Sequence, residues 1–371
     1  MKITQANWFK VGIPFKFSID HNLKLRRKSE SIVIQIIDEK GRKGYGEGAP
    51  REYVNKETIE QTKNQFKRLV IPDILKISDI KEYSEFLKRR NTSPALIAAL
   101  ETATLDLFAR QNVESISHYL SSQDNRNLEY SIVLPVLPLE KLDLWLDKLR
   151  AQEPSSIKYK VGHENDKISI DKIRSAFPEI SLRLDGNCAW EFEEAISKIQ
   201  ALSTYKIDSI EEPLKQSLKN RLPELTKHID IPIVLDESVC NMEDAIYFTN
   251  HIEAHKFCVN LKISKMGGLF EMELIHEFLR SNNIESQLGC NVGETAILSA
   301  AARIFAQRNT LKFLEGSYAP FFMEVDIAEL PLHFSKGGAA KRLVDPGLGI
   351  QINESTLIKY SEEIFNKSFI N

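Results

Sequence analysis

The chain has 371 residues, 42% of them hydrophobic and 27% charged, with 49 basic against 52 acidic side chains and a net charge of −3. That is the balance of an ordinary soluble globular protein, long enough for a large barrel and a small domain, and its near-neutrality gives no electrostatic reason to expect nucleic acid or an anionic membrane as partner. Cys188, Cys240, Cys258 and Cys290 are scattered without a C-x-x-C pair, which argues against a disulfide framework or a zinc site. Met1–Gln5 does not begin a secretory signal, and no uncharged run has the length of a membrane span, so a cytoplasmic enzyme is expected.

In chain order, residues 3–12 and 31–38 read as strands, the second rich in β-branched residues and ending at the turn Asp38-Glu39-Lys40-Gly41. Tyr45-Gly46-Glu47-Gly48 reads as a third strand entering a glycine-rich bend, and residues 56–68 turn helical and charged. Pro94 to Ala109 forms a stronger helix, with Ser93 as a candidate cap and an apolar stripe of Leu96, Ala99, Leu100, Ala103, Leu107 and Phe108. Residues 1–125 thus describe a small α+β domain. Beyond Leu128 the rhythm changes. Short apolar strands are predicted at Glu129–Val133, Ile157–Val161, Leu182–Asp185, Ser209–Glu211, Ile233–Glu237, Val259–Ile263, Glu285–Leu288 and Leu311–Glu315. They recur about every 25–27 residues, the size of one βα unit. Helices are expected over Leu139–Ala151, Asp166–Ala176, Glu191–Leu202, Met242–Thr249 and Leu269–Ser281. Eight such units predict a TIM-type barrel over residues 126–319. Residues 320–371 leave the period, hold the turn Asp345-Pro346-Gly347-Leu348-Gly349 and a final helical segment, and are expected to pack back on the small domain.

In such a barrel the chemistry sits at the carboxyl ends of the strands. Three consecutive strands end in acids: Asp185, Glu211 and Asp236. Neighbouring strands lie about 4.8 Å apart, so these carboxylates repel unless a cation neutralises them, and a hard dication such as Mg²⁺ accepts an all-oxygen donor set. Lys158 and Lys160 on the second strand, and Lys262 on the sixth, flank the acids. Alternation points Lys158 and Lys160 the same way, so that one can depress the pKa of the other. Lys265, an odd number of residues from Lys262, is expected to point away on a regular strand. A metal-bound substrate carboxylate between the lysines would lose its α-proton to one of them, the metal stabilising the enediolate. Taken singly, each motif is bland: Lys-x-Lys is usually a solvated strand face, and an Asp at a strand end a turn or helix cap. Their joint occurrence in order on successive strands is what carries the catalytic reading.

These residues resemble the enolase superfamily, in its muconate-lactonizing subgroup. The resemblance rests on the Lys-x-Lys strand, Asp185-Gly186-Asn187, Glu211-Glu212-Pro213, Asp236-Glu237-Ser238, and the Asn260–Gly268 run. Gly44-Tyr45-Gly46-Glu47 and Gly347-Leu348-Gly349 extend it to nearly the whole chain. It implies a (β/α)7β barrel with an α+β capping domain built from the N-terminal region and the C-terminal tail. Asp185, Glu211 and Asp236 would ligate one Mg²⁺, with Mn²⁺ able to replace it. Lys160 would be the acid/base on one face, with Lys158 as its accessory, and Lys262 would stand on the other face. Asn187 and Glu237 would orient the ligands. The mandelate-racemase branch, with its histidine base, fits less well, because Gln287-Leu288-Gly289 occupies the seventh strand end.

The implied activity is that of a racemase, epimerase or cycloisomerase acting on a small carboxylate, with an o-succinylbenzoate synthase-like lyase or a dipeptide epimerase as alternatives. A homo-oligomer is also implied. Dipeptide epimerases of the family carry Asp-x-Asp at the eighth strand, whereas this chain has Glu315 alone, a candidate substrate contact or a strand-end charge paired to a nearby lysine. Two capping loops are expected to set specificity. The first, residues 16–30, holds His21, Lys24, Arg26, Arg27 and Lys28, and the second, residues 49–57, holds Arg51 and Tyr53. One of these arginines would bind a second anionic group of the substrate.

Overall fold

The computed structural model describes residues 2–19, 26–69, 80–121, 127–134, 137–251 and 256–369. Within the N-terminal region, β1 (Ile3–Val11), β4 (Ser31–Asp38) and β5 (Lys43–Gly48) form an antiparallel sheet, and β2 (Pro14–Ile19) pairs with β3 (Arg26–Lys28) as a separate ribbon. The Pro94–Asn112 helix packs on β5 at very short range. A Cβ on Gly44, Gly46 or Gly48 would stand 2.2, 1.9 or 2.1 Å from the carbonyl oxygens of Ala103, Ala99 and Ala95. Alternate glycines on one face of the strand let the helix backbone lie directly on it. The expected apolar stripe on this helix is only part of its buried surface: 14 of its 19 residues are buried, including Glu101, Thr102, Thr104 and Asp106, since it is enclosed between the cap sheet and the barrel. No side-chain hydrogen bond from Ser93 caps it; the Glu57 carboxylate accepts from Ala95 N–H instead (2.9 Å).

The barrel is a closed cylinder of eight parallel strands: β6 (Leu128–Leu134), β7 (Ser156–Lys160), β8 (Ser181–Asp185), β9 (Ser209–Glu211), β10 (Ile233–Leu235), β11 (Phe257–Leu261), β12 (Glu285–Leu288) and β13 (Leu314–Glu315), with β13 pairing back onto β6. The tail divides between the two parts. β14 (Ala339–Ala340) runs antiparallel along β6, and β15 (Ser361–Ser368) becomes the edge strand of the cap sheet against β1. The helical segment expected at the chain's end is the short Glu354–Lys359 helix, and the residues after it are strand. A helix at Ala296–Arg308, absent from the sequence reading, is buried along most of its length.

Several strands stop earlier than expected. β10 ends at Leu235, so Asp236 and Glu237 lie in the loop above it. β11 ends at Leu261, and Ile263–Met266 is a helical turn with Lys262 at its N-cap position. That overturns the expectation for Lys265: a three-residue step on a helix returns to the same face, whereas on a strand it would reverse.

Candidate active site

Register places the site. Lys160 pairs with Asp185 and Asp185 with Glu211, so all three leave the wall at one level and on one side. Glu211 pairs with Val234, which puts Asp236 on the same side one pleat higher. Lys158 and Arg183, themselves register partners, form the layer beneath. β7 and β11 are four strands apart in a ring of eight, so Lys160 and Lys262 come from opposite sides of the mouth. Asp185, Glu211, Asp236, Glu237, Lys158, Lys160, Lys262, Lys265, Asn187 and Glu315 all line one cavity of about 790 Å³.

The ammonium groups share out the acids. Lys158 Nζ donates to Glu211 Oε2 (3.0 Å) and Glu315 Oε2 (2.8 Å) and stands 3.5 Å from Asp185 Oδ2. Asp236 accepts from Lys262 at one oxygen and from Lys265 at the other (2.9 Å). Lys265 also donates to the Asp236 and Asn260 carbonyls, both at 2.7 Å, which stiffens the loop above β10. Glu212 accepts from Asp236 N–H and Ser238 N–H, each at 2.7 Å, and fixes the same loop from below. Lys160 Nζ donates to Asn187 Oδ1 (2.8 Å), and Asp185 Oδ1 accepts from Asn187 N–H (3.0 Å). Asn187 takes a left-handed φ of 43°, a conformation asparagine tolerates better than most residues.

The electrostatics diverge between the lysines. Burial pushes the Lys160 ammonium below its ordinary pKa, helped by Lys158 and Lys262 and opposed by Asp185. Burial acts the same way on Lys158 and Lys262, but the carboxylates win: Glu211, Glu315 and Asp185 raise Lys158, while Asp236, Glu211 and Glu237 raise Lys262. Burial lifts Glu211 to about 7 against the pull of Lys158.

The donor set suits a hard dication. Asp185, Glu211 and Asp236 supply oxygen only, and Glu237 Oε2 is buried without a hydrogen-bond partner in the same cavity. Among the described residues the tightest acidic group is a different one, Cys188, Glu212 and Glu237, with ligand atoms within 4.8 Å of one another. We favour the strand-end acids for the metal. Burial keeps the Cys188 thiol protonated, and Glu212 is already committed to Asp236 and Ser238, whereas each of the three strand-end acids turns one oxygen to an ammonium group of the cavity that a metal ion could displace.

The capping residues are engaged within the protein. Arg51 lines the cavity and is buried, but its guanidinium donates to the Glu30 carbonyl (2.7 Å), the Pro50 carbonyl (3.0 Å) and the Val292 carbonyl (2.9 Å). Arg26 is not among the lining residues; it pairs with Glu30 (2.7 Å), and its guanidinium carbon lies 5.6 Å from the centre of the Tyr53 ring. Tyr53 itself lines the cavity. Lys28 pairs with Glu362 of β15 and is not among the lining residues. His21 and Lys24 lie outside the described residues. Sequence reasoning passed over Arg183, Asn260 and Gln287. Arg183 Nη1 donates to Glu315 Oε1 (2.7 Å) and Gln287 Oε1 (3.0 Å), and Asn260 Nδ2 donates to Glu211 Oε1 (2.8 Å). The signal was present: Arg183 precedes Asp185 by two residues and Asn260 precedes Lys262 by two, so alternation aims each inward.

Residues 144–356 match the family described as enolase C-terminal domain-like. A hydrophobic dipeptide epimerase of Enterococcus faecalis is 29% identical over 84% of this chain and 89% of its own length. An o-succinylbenzoate synthase of Bacillus subtilis is 26% identical over 97% of both. The crystal structure of an N-succinyl Arg/Lys racemase from Bacillus cereus superposes with a TM-score of 0.90 at 21% identity, covering 99% of this chain and 100% of that one, a likeness of fold. A dipeptide epimerase from Enterococcus faecalis, solved with Mg and L-Leu-L-Tyr, gives a TM-score of 0.83 at 26% identity, covering 95% and 100%.

Proposed function

The chain belongs to the enolase superfamily, in the family of enolase C-terminal domain-like proteins, and from that premise we propose that it is a Mg²⁺-dependent isomerase, a racemase or epimerase, that removes and returns the proton α to a substrate carboxylate. The observation that carries this reading is the convergence of Asp185, Glu211 and Asp236, from three successive strands, on one cavity that Lys160 and Lys262 enter from opposite sides. When bound to the three acids, Mg²⁺ supplies the positive charge against which the electrons left by the departing proton settle on the substrate's carboxylate oxygens. Lys160, as the free amine, takes the proton from one face, and Lys262, as the ammonium, delivers one to the other. Lys158 keeps a fixed cation beside Lys160, and Asn187 orients the Lys160 side chain. Relatives that are epimerases and racemases support this activity, as does magnesium in the crystal structure of a dipeptide epimerase. The same reading takes residues 1–125 and 320–371 as a cap over a catalytic barrel of residues 126–319, in a cytoplasmic homo-oligomer whose only partner is its small-molecule substrate. No helix among the described residues is long and apolar enough to cross a membrane.

The test is α-deuterium exchange in D₂O over a panel of dipeptides and acylamino acids, with Mg²⁺ and with EDTA. A racemase or epimerase incorporates deuterium and inverts the centre, only when metal is present. Lys160→Ala and Lys262→Ala each lower exchange by at least about 10³-fold. Irreversible loss of water from a substrate would point to the synthase chemistry instead, and metal-independent exchange would refute the proposal.

A further inference from the structure

Two further carboxylates on the rim of the barrel take no part in the set of Asp185, Glu211 and Asp236. Glu212 follows Glu211 at the end of β9, and Glu237 follows Asp236 in the loop above β10. Both are buried, at 1% and 5% exposed. Glu212 Oε1 accepts from Asp236 N–H and Ser238 N–H, while Oε2 accepts only from Ser238 Oγ (2.8 Å) and keeps a lone pair free. Glu237 Oε2 accepts nothing. Every donor to this pair is therefore neutral. The charge of Lys262 reaches Glu237, but that ammonium donates to Asp236, and Asp236 adds a third negative charge beside both acids. Two buried carboxylates so placed need either a shared proton or a cation.

A sulfur beside the pair favours the cation. Gly186 N–H donates to the Glu211 carbonyl and Cys188 N–H to the Glu212 carbonyl, each at 2.8 Å, and Trp190 N–H donates to the Pro213 carbonyl (3.1 Å). This ladder lays the loop after β8 along the chain after β9 and holds Cys188 beside Glu212. One ligand atom each from Cys188, Glu212 and Glu237 lies within 4.8 Å of the others. A single ion spans such a set at thiolate bonds of about 2.3 Å and carboxylate bonds of about 2.0–2.2 Å after small side-chain adjustments. One sulfur and two oxygens suit a borderline dication, whereas Mg²⁺ gains little from sulfur.

We propose that Cys188, Glu212 and Glu237 form a second cation site, beside the Mg²⁺ site and distinct from it, that takes one thiophilic dication of the Zn²⁺ class with water in the fourth position. On binding, the Cys188 S–H bond breaks, its proton passes to solvent, and a sulfur lone pair forms the bond to the metal. The ion outweighs the new thiolate charge, so the group becomes less negative. It also joins the loop after β8 to the loop above β10, which stiffens the rim that carries Asp236.

Co²⁺ reads this site without turnover, so its outcome and that of the isomerase reading are independent. Titration of Co²⁺ into the Mg²⁺-saturated protein is expected to raise a near-ultraviolet thiolate-to-cobalt charge-transfer band that saturates at about one equivalent. Co²⁺ on Asp185, Glu211 and Asp236 gives no such band, because that set holds only oxygen. Zn²⁺ bleaches the band, and further Mg²⁺ leaves it. Cys188→Ser abolishes it, and Glu237→Gln weakens Co²⁺ binding at least about tenfold. Cys290→Ser, which removes a thiol that lines the cavity, changes neither. No band in the parent protein, a band that survives Cys188→Ser, one that excess Mg²⁺ erases, or unchanged affinity in Glu237→Gln overturns the site.

Discussion

Arg183 shows how much of the barrel's charge is internal. Its Nη1 bridges Glu315 and Gln287, and its guanidinium stands 4.2 Å from the centre of the Phe313 ring in a layer where the side chain is 1% exposed. Replacing it with methionine leaves Glu315 with Lys158 alone. Breaking a buried pair from one side costs about 3–5 kcal/mol, so Arg183→Met is expected to lose that much stability in urea unfolding. A loss under about 1 kcal/mol would mean that water reaches this layer. Asp236 is the converse case, an acid gripped by two ammonium groups. Asp236→Asn is expected to lower exchange by at least about 10³-fold and to abolish the rise in Tm that Mg²⁺ gives the parent protein, since an ion that binds only the folded state stabilises it by mass action. A retained Mg²⁺-dependent Tm shift in that variant would move the metal elsewhere, with the group of Cys188, Glu212 and Glu237 as the first place to look.

At the scale of elements, the cap is fastened to the barrel through helix N-termini. Glu47 from β5 accepts from Thr295 N–H and Leu298 N–H at the start of the Ala296–Arg308 helix, and Glu101 accepts from Leu269 N–H and Phe270 N–H at the start of the Leu269–Ser281 helix. Burial raises the Glu101 pKa to about 7, against the pull of Ser84 and the two backbone donors. The folded value thus lies above the unfolded carboxyl value of about 4.3. The folded state therefore holds this proton more tightly, so its contribution is complete below the unfolded value and is lost as pH rises through 7. Thermal unfolding at pH 5 and pH 8 is expected to differ more in the parent than in Glu101→Gln; identical differences would place Glu101 in contact with water. The glycine strand supplies a steric counterpart. Gly46→Ala forces a methyl to within 1.9 Å of the Ala99 carbonyl, which requires the helix to move, and is expected to cost about 3 kcal/mol or more in chemical unfolding.

For the whole molecule, the two ends of the chain meet in one sheet. Ser361–Ser368 covers β1 through an antiparallel register running from Gln5–Ser368 to Val11–Ser361. Truncation after Tyr360 uncovers the β1 edge, whose strand bears Trp8, Phe9 and Val11, and is expected to yield self-association visible by light scattering at micromolar concentration. A monodisperse truncated chain would show that another element screens the edge. The same closure explains how the capping loop reaches the mouth: Arg51 ties Glu30 and Pro50 of the cap to Val292 of the loop above β12, so cap and barrel share the cavity wall.

The sequence by itself determined the barrel and its acidic rim. A period of one βα unit and the two-residue alternation within a strand are local properties of the chain, and together they bring Asp185, Glu211, Asp236, Lys158 and Lys160 to one side of one wall. Where each strand stops, and which charges neutralise which, was decided only by the tertiary structure. Lys265 faces inward because β11 gives way to a helical turn, Glu315 is occupied because Arg183 and Lys158 arrive from strands over a hundred residues away, and Arg51 is spent on carbonyls that the folded loops alone bring near. Coulomb and hydrogen-bond energies depend on distance through space, and separation along the chain carries no record of it.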